Sequence, residues 1–384
     1  MILIEKIHTL IACGYIGTNY NGSQMQNGKN ALVAKTIEGE IASALIKLGY
    51  CPEDDLKALD FERSSRTDSK VSAALTIFTF WVNNAETLDE ELNQILPADI
   101  RIFGVQRTTP RFDCRAMCTS RRYIYILPLG MIKYDEKYAQ KQSDFSEFIR
   151  IQQSENSEFI VRPEQMMKQI DFSLPEMLIQ NLNELSTLYT KQTNHYMNFI
   201  TDSKGLTMNQ TQRKYDQFEF SEPIIKNGES YTIVNIHGTS FNYNQIRKMI
   251  AAISLVARGQ APVTWLYRAL SGRSEFKTDI PTAPGQYLTL NRPEYRGHEK
   301  SDESKMYGMI LAHRAEVLEK SEQFKQLIFE EICKTEPSIY QKFVETMEDF
   351  GRETDAYQLA KDTILREIEV GKLIKQQKVK IEVH

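Results

Sequence analysis

At 384 residues, 41% apolar and 10% aromatic, the chain has material for roughly two to three globular domains and is too hydrophobic for a disordered one. No run of about 18 apolar residues is present, which excludes a helical membrane span, and Glu5 and Lys6 interrupt the start Met1-Ile2-Leu3-Ile4 too early for a signal peptide. The net charge of −4 argues against a nucleic-acid partner only until it is divided: residues 301–384 hold 13 Lys+Arg against 17 Asp+Glu, so the first 300 residues are neutral.

In chain order, Ile7–Tyr15 predicts a strand, followed by a Gly- and Asn-rich stretch from Gly14 to Gly28. The spacing of Ile37, Ile41, Ala44, Leu45 and Leu48 predicts a helix over 36–48 with Gly49 as its stop. A short strand is expected near 59–63 and a long one over 72–82. Thr87-Leu88-Asp89-Glu90 has the form of a capping box opening a helix that Pro97 stops. A strand over 100–106 then completes the order β-α-β-β-α-β, that of a ferredoxin-like unit.

The second half repeats such parts with an interruption. A strand is expected over 122–127, with Tyr123, Tyr125 and Leu127 on one face. The polar residues 131–190 read as an insertion. Strands over 215–220 and 231–237 are expected to pair around Lys226-Asn227-Gly228. Residues 241–258 predict the strongest helix, with Ile246, Met249, Ile250, Ile253 and Val256 inward and Gly259 as its end. Tyr287–Leu290 predicts a last strand. The expected class is α+β: two ferredoxin-like halves, 1–110 and 111–300, share an antiparallel sheet, and 301–384 forms an acidic helical extension.

Two local features point to chemistry. Residues 101–125 carry Arg101, Arg107, Arg111, Arg115, Arg121 and Arg122 against one acid, Asp113, the footprint of a phosphate-binding face on a neutral body. A solvated charged loop is the plainer alternative. The second feature is Arg63-Ser64-Ser65-Arg66-Thr67-Asp68-Ser69-Lys70, placed directly before the apolar run 72–82. A carboxylate there is shielded on one side and flanked by cations on the other, so it stays ionised and suits a nucleophile or base acting on a polyanion. An Asp capping a turn explains the same residues. Five scattered cysteines (Cys13, Cys51, Cys114, Cys118 and Cys333) suggest a reducing compartment. Cys114 and Cys118 have no matching ligand pair and read as ordinary thiols.

Taken together the motifs resemble a family. The segments 14–24, 36–40 and 65–73 are similar to the N-terminal half of TruA-type pseudouridine synthases, and 111–115, 121–125 and 238–250 to its second half. The wording Val71-Ser72-Ala73 and Asn194-His195-Tyr196-Met197-Asn198-Phe199 resembles the eukaryotic branch. The resemblance covers roughly residues 8–292 and implies an isomerase that converts uridine to pseudouridine in tRNA, other RNAs being left open as substrates. It implies Asp68 as the essential carboxylate, Arg247 as its bidentate partner, Tyr123 as the stacking platform, and Arg66 as the residue that fills the gap left by a flipped-out uridine. Thr67, Lys70, Gln24, Arg115, Arg121, Arg122 and Lys248 are expected RNA contacts, while His195 reads as structural. No metal or redox cofactor is implied.

The family pattern has Gly where this chain has Lys70 and His where it has Asn244. The competing reading is an RNA-binding protein or tRNA chaperone that keeps the fold without the chemistry. A small-molecule enzyme is disfavoured by the arginine strip. The state is left open between monomer and homodimer, and the compartment between nucleus and cytoplasm.

Overall fold

The computed structural model describes residues 6–26, 34–51, 59–83, 86–156, 170–272 and 276–382. Residues 1–5, the end of the Gly/Asn-rich stretch at Asn27 and Gly28, and residues 157–169 of the expected insertion lie outside these. The strands are β1 (Ile7–Tyr15), β2 (Glu62–Arg63), β3 (Ser72–Val82), β4 (Ile100–Arg107), β5 (Ser120–Pro128), β6 (Asn194–His195), β7 (Gln212–Arg213), β8 (Gln217–Phe220), β9 (Ile224–Lys226), β10 (Glu229–Gly238) and β11 (Leu288–Glu294). Nine of them form one mixed sheet in the order β4-β1-β3-β11-β5-β10-β8, with β2 beside β3 and β9 beside β10; β6 and β7 pair separately.

Every pairing in the large sheet is antiparallel except that of β3 with β11, where Ser72 and Ala73 lie opposite Thr289 and Leu290. β1 and β3 are buried almost throughout, on both faces. That burial explains why β3, Ser-Ala-Ala-Leu-Thr-Ile-Phe-Thr-Phe-Trp-Val, is rich in β-branched and aromatic residues instead of alternating with polar ones.

The helices are α1 (Ile37–Lys47), α2 (Leu88–Ile95), α3 (Ala139–Glu155), α4 (Leu178–Thr190), α5 (Met208–Thr211), α6 (Gln245–Ala257), α7 (Val263–Ala269), α8 (Asp302–Tyr307), α9 (Ala315–Cys333), α10 (Pro337–Glu353) and α11 (Ala356–Glu382). None of the described helices is long and apolar enough to cross a membrane. α1 begins as its sequence predicts, with the Thr36 hydroxyl accepting from the Gly39 amide. The capping box expected at α2 is absent. Thr87 lies outside the extended region an N-cap needs, and its hydroxyl donates to Glu91 instead.

α6 starts four residues later than its apolar pattern suggests. Asn244 takes a left-handed conformation at φ +59°, and the turn through Tyr243 and Asn244 sends Phe241 back against Tyr123 and Tyr215. The hairpin expected between 215–220 and 231–237 contains an extra short strand. β9 folds onto β10 around Asn227-Gly228, both at positive φ as a tight hairpin turn requires, and β8 continues along the same edge.

The C-terminal residues are helical, and α9 packs on the sheet. Its Ser321 hydroxyl donates to the Ala74 carbonyl, Lys320 donates to the Phe103 carbonyl, and Phe324 meets Phe103 edge to face. Gly14 makes this approach possible, since a Cβ there would lie 2.5 Å from the Phe103 ring. α11 is tied to the centre of the molecule through the Tyr357 hydroxyl on the Gly259 carbonyl and Glu367 on buried Arg268.

Candidate active site

The loop between β2 and β3 is held from below before any charge is considered. Thr67 and Ser23 bond reciprocally: the Thr67 amide donates to the Ser23 hydroxyl and its carbonyl accepts from the Ser23 amide. The buried Tyr15 and Thr67 hydroxyls are 2.7 Å apart. The amide of Lys70 donates to the Tyr20 carbonyl. Gly22, at φ +103°, lets the backbone pass the Thr67 carbonyl, which a Cβ would approach to 3.0 Å. These contacts fix residues 65–71 against 17–24, so the Asp68 carboxylate emerges from a rigid turn.

Asp68 opens into a cavity of about 600 Å³ between this loop, the turn before α6 and the inner end of β5. Gln24, Arg66, Thr67, Arg115, Tyr123 and Arg247 line the same cavity, so the fold gathers seven of the eleven expected site residues at one place. An adjoining cavity of about 560 Å³ is lined by Arg66, Arg115 and Arg121 and continues the basic surface outward.

Arg247 faces Asp68, but the expected bidentate pair is not formed: Nη1 stands 3.9 Å from Asp68 Oδ2. Its Nε donates to the Ala283 carbonyl at 2.6 Å and its Nη1 to Asn244 Oδ1 at 2.7 Å, so most of the guanidinium is engaged elsewhere. Of the cations that flank it in sequence, Arg63 turns inward to a 2.5 Å ion pair with buried Glu38, while Arg66 lines the cavity and Lys70 is exposed. Burial dominates and pushes the Asp68 carboxyl above its ordinary value, with Arg247 and the Asn244 amide pulling the other way.

Tyr123 is buried at the end of a file of rings: Tyr196, Tyr215 and Phe241 follow one another, with Phe241 edge-on to Tyr123 at 5.2 Å. Burial pushes its hydroxyl up to about 12, so it is neutral near pH 7 and presents an uncharged aromatic wall.

The expected RNA contacts divide into two groups. Arg66 and Arg115 are exposed at the cavity, Gln24 is half-buried in its wall, and Lys70 is exposed between the lining residues Ser69 and Val71. The rest are engaged by the protein. Thr67 directs its hydroxyl to Tyr15. Arg121 donates to the Ser64 and Thr239 carbonyls at 2.8 Å each and to the Ser65 hydroxyl at 3.0 Å. Arg122 is paired with Glu294, and buried Lys248 with Asp279 at 3.1 Å. Arg121 thus ties the Asp68 loop to the turn before α6.

Lys70 occupies φ +67°, the left-handed region that favours glycine, which gives a backbone reason for Gly in the family pattern. His195 lies in β6 and is not among the residues lining the cavity. All five cysteines are buried and none is in a disulfide among the described residues, and burial pushes Cys114 up to about 12. No cluster of His, Cys, Asp and Glu suited to a metal occurs among the described residues.

Two residues that sequence reasoning passed over complete the site. Glu38, in the segment Thr36-Ile37-Glu38-Gly39, accepts from the Met25 amide and pairs with Arg63, linking α1 to both loops. A carboxylate among the apolar positions of a helix was its signal. Tyr243, more than half exposed, stands on the cavity's lip.

Residues 193–296 match a family model described as tRNA pseudouridine synthase. The pseudouridylate synthase 1 homologs of Homo sapiens and Mus musculus are 29% and 28% identical over 80% and 77% of this chain. The tRNA pseudouridine synthase 1 of Saccharomyces cerevisiae is 27% identical over 80% of it. The matched parts span 67%, 63% and 64% of those relatives' own lengths.

Proposed function

From this kinship with the TruA-type tRNA pseudouridine synthases, we propose that the protein isomerises uridine to pseudouridine in tRNA. The observation that carries the reading is the meeting of one carboxylate, Asp68, with Arg247 and an aromatic wall, Tyr123, in a cavity rimmed by Arg66 and Arg115. The reaction breaks the N-glycosidic bond, rotates the uracil and joins its C5 to C1′. It needs a group acting at the ribose, and Asp68 serves as nucleophile or base there. Tyr123 holds the detached uracil by stacking while it turns. Arg247 supports the ionised carboxylate, and Arg66 enters the stack where the uridine leaves it.

The phosphate-facing side chains are Arg66, Arg115 and Lys70, with Gln24 at the wall; Arg121, Arg122, Thr67 and Lys248 shape the site from within. In the same reading the strand orders β4-β1-β3-β2 and β11-β5-β10-β8 are two ferredoxin-like halves, residues 1–110 and 111–300, covered by the helices of 301–384. The protein acts inside the cell, in nucleus or cytoplasm.

Incubating the purified chain with tRNA labelled with tritium at uracil C5 tests the proposal. Forming the C5–C1′ bond displaces that hydrogen, so an isomerase releases tritium to water. A protein that only binds tRNA retains the label, and that result would refute the assignment.

A further inference from the structure

Asn244 occupies the N-cap position of α6, where an Asn side chain ordinarily accepts a hydrogen bond from the first turn. Here it makes no such bond. Its Oδ1 accepts from Arg247 Nη1 at 2.7 Å, its Nδ2 donates to the Thr201 hydroxyl at 3.0 Å, and its backbone amide faces Asp68. The left-handed backbone at φ +59° turns the residue into this position. Asn244 therefore touches both members of the Asp68–Arg247 couple, and its Oδ1 holds the same Nη1 that stands 3.9 Å from Asp68 Oδ2.

We propose that Asn244 is a positioning residue that keeps the Arg247 guanidinium short of contact with Asp68 and thereby sets how readily that carboxylate ionises. The inference rests on the isomerase reading only for its link to catalysis. A charge-assisted N–H···O bond closes to about 2.7–2.9 Å, whereas this pair stands at 3.9 Å. At the effective dielectric of a partly exposed protein site, closing that gap is worth about one pKa unit. The other titratable groups facing the acid are Arg66 from its own loop, Arg115 and Tyr123 from the approach to β5 and from β5 itself, and Tyr243 from the turn before α6; Lys70 lies exposed beside them. Asn244 is bonded to none of these, so its influence runs through Arg247.

The test titrates the Asp68 carboxyl carbon by NMR in aspartate-labelled full-length protein, assigned with Asp68→Asn. Asn244→Gly removes the acceptor yet keeps the left-handed backbone without steric cost. It frees Arg247 to close on Asp68, and the titration moves down by about one unit. Asn244→Asp keeps an acceptor, strengthens its hold on Arg247 and adds a negative charge, so the titration moves up. Opposite shifts support the proposal, and Asn244→Ala, which also removes the acceptor without adding charge, decides in place of the Gly variant if that one does not fold. Unchanged midpoints, or shifts in the same direction, overturn it. The acidic limb of kcat/KM for tritium release follows the midpoints; a limb that stays fixed overturns the catalytic link. A wild-type protein that releases no tritium refutes the isomerase reading, while the carboxyl titration still judges Asn244.

Discussion

Arg121 is the residue on which the sequence and the structure give opposing predictions, so replacing it is informative. A phosphate contact contributes to RNA affinity, whereas the observed side chain braces the Asp68 loop. In Arg121→Met, bonds of 2.8, 2.8 and 3.0 Å to the Ser64 carbonyl, the Thr239 carbonyl and the Ser65 hydroxyl are lost together. Hydrogen bonds from a charged donor contribute ~1.5–3 kcal/mol each, and this half-buried group belongs at the low end. With allowance for non-additivity the loss of stability is ~3 kcal/mol, large enough to measure by urea unfolding and small enough to leave a folded protein.

The Asp68 loop then loses its tie to the turn before α6, and a shift of about 1 Å at a reacting group costs about 10²-fold in kcat. Binding of tRNA, measured between 50 and 200 mM salt on the order used for phosphate-driven complexes, keeps its slope. An Arg121→Met protein with stability and kcat intact but a salt slope reduced by about 1, the signature of a lost phosphate contact, would show that Arg121 does not brace the loop.

Other residues give complementary tests. Arg66→Ala reduces the salt slope of tRNA binding by about 1 with little effect on unfolding, because Arg66 is exposed; an unchanged slope contradicts a phosphate role. Lys70→Gly relieves a left-handed side chain and raises unfolding stability by up to ~1 kcal/mol, whereas a loss of stability contradicts the backbone argument. Glu294, with Arg122 and Ser120 bonded to it, has its carboxyl lowered to about 2 despite its burial. It contributes stability above its unfolded value near 4.5 that is lost as pH falls toward about 2. The melting temperature of wild type therefore falls more steeply between those pH values than that of Glu294→Gln, and parallel curves refute the linkage.

The parts of the fold legible in the sequence are those set by local pattern. β1 appears with the expected limits because a buried run ends at a glycine-rich turn, and α1 because Thr36 and Gly49 punctuate an apolar stripe. The start of α6 was not legible, because Phe241 continues the apolar pattern into a turn that only the left-handed Asn244 makes possible. The extra strand β9 lay hidden for a related reason: three residues carry no period of their own and owe their pairing to the Asn227-Gly228 turn.

Residue types indicated which side chains carry charge at the site but not what each charge faces. Arg63 and Arg66 are three apart in sequence, yet one pairs with buried Glu38 and the other lines the cavity. Lys248 and Arg121 likewise look like phosphate contacts until Asp279 and the Ser64 and Thr239 carbonyls are brought to them by tertiary packing.

The most direct test of the central claim compares Asp68→Asn with wild type in two measurements on one tRNA preparation: tritium release and equilibrium binding. The substitution keeps the size of the side chain and its place in the loop and removes only the charge and the nucleophilic oxygen. Tritium release is expected to be lost while tRNA affinity stays within a few-fold of wild type, because binding rests on the arginines around the cavity and catalysis on the carboxylate. Full activity in the Asn variant would contradict it.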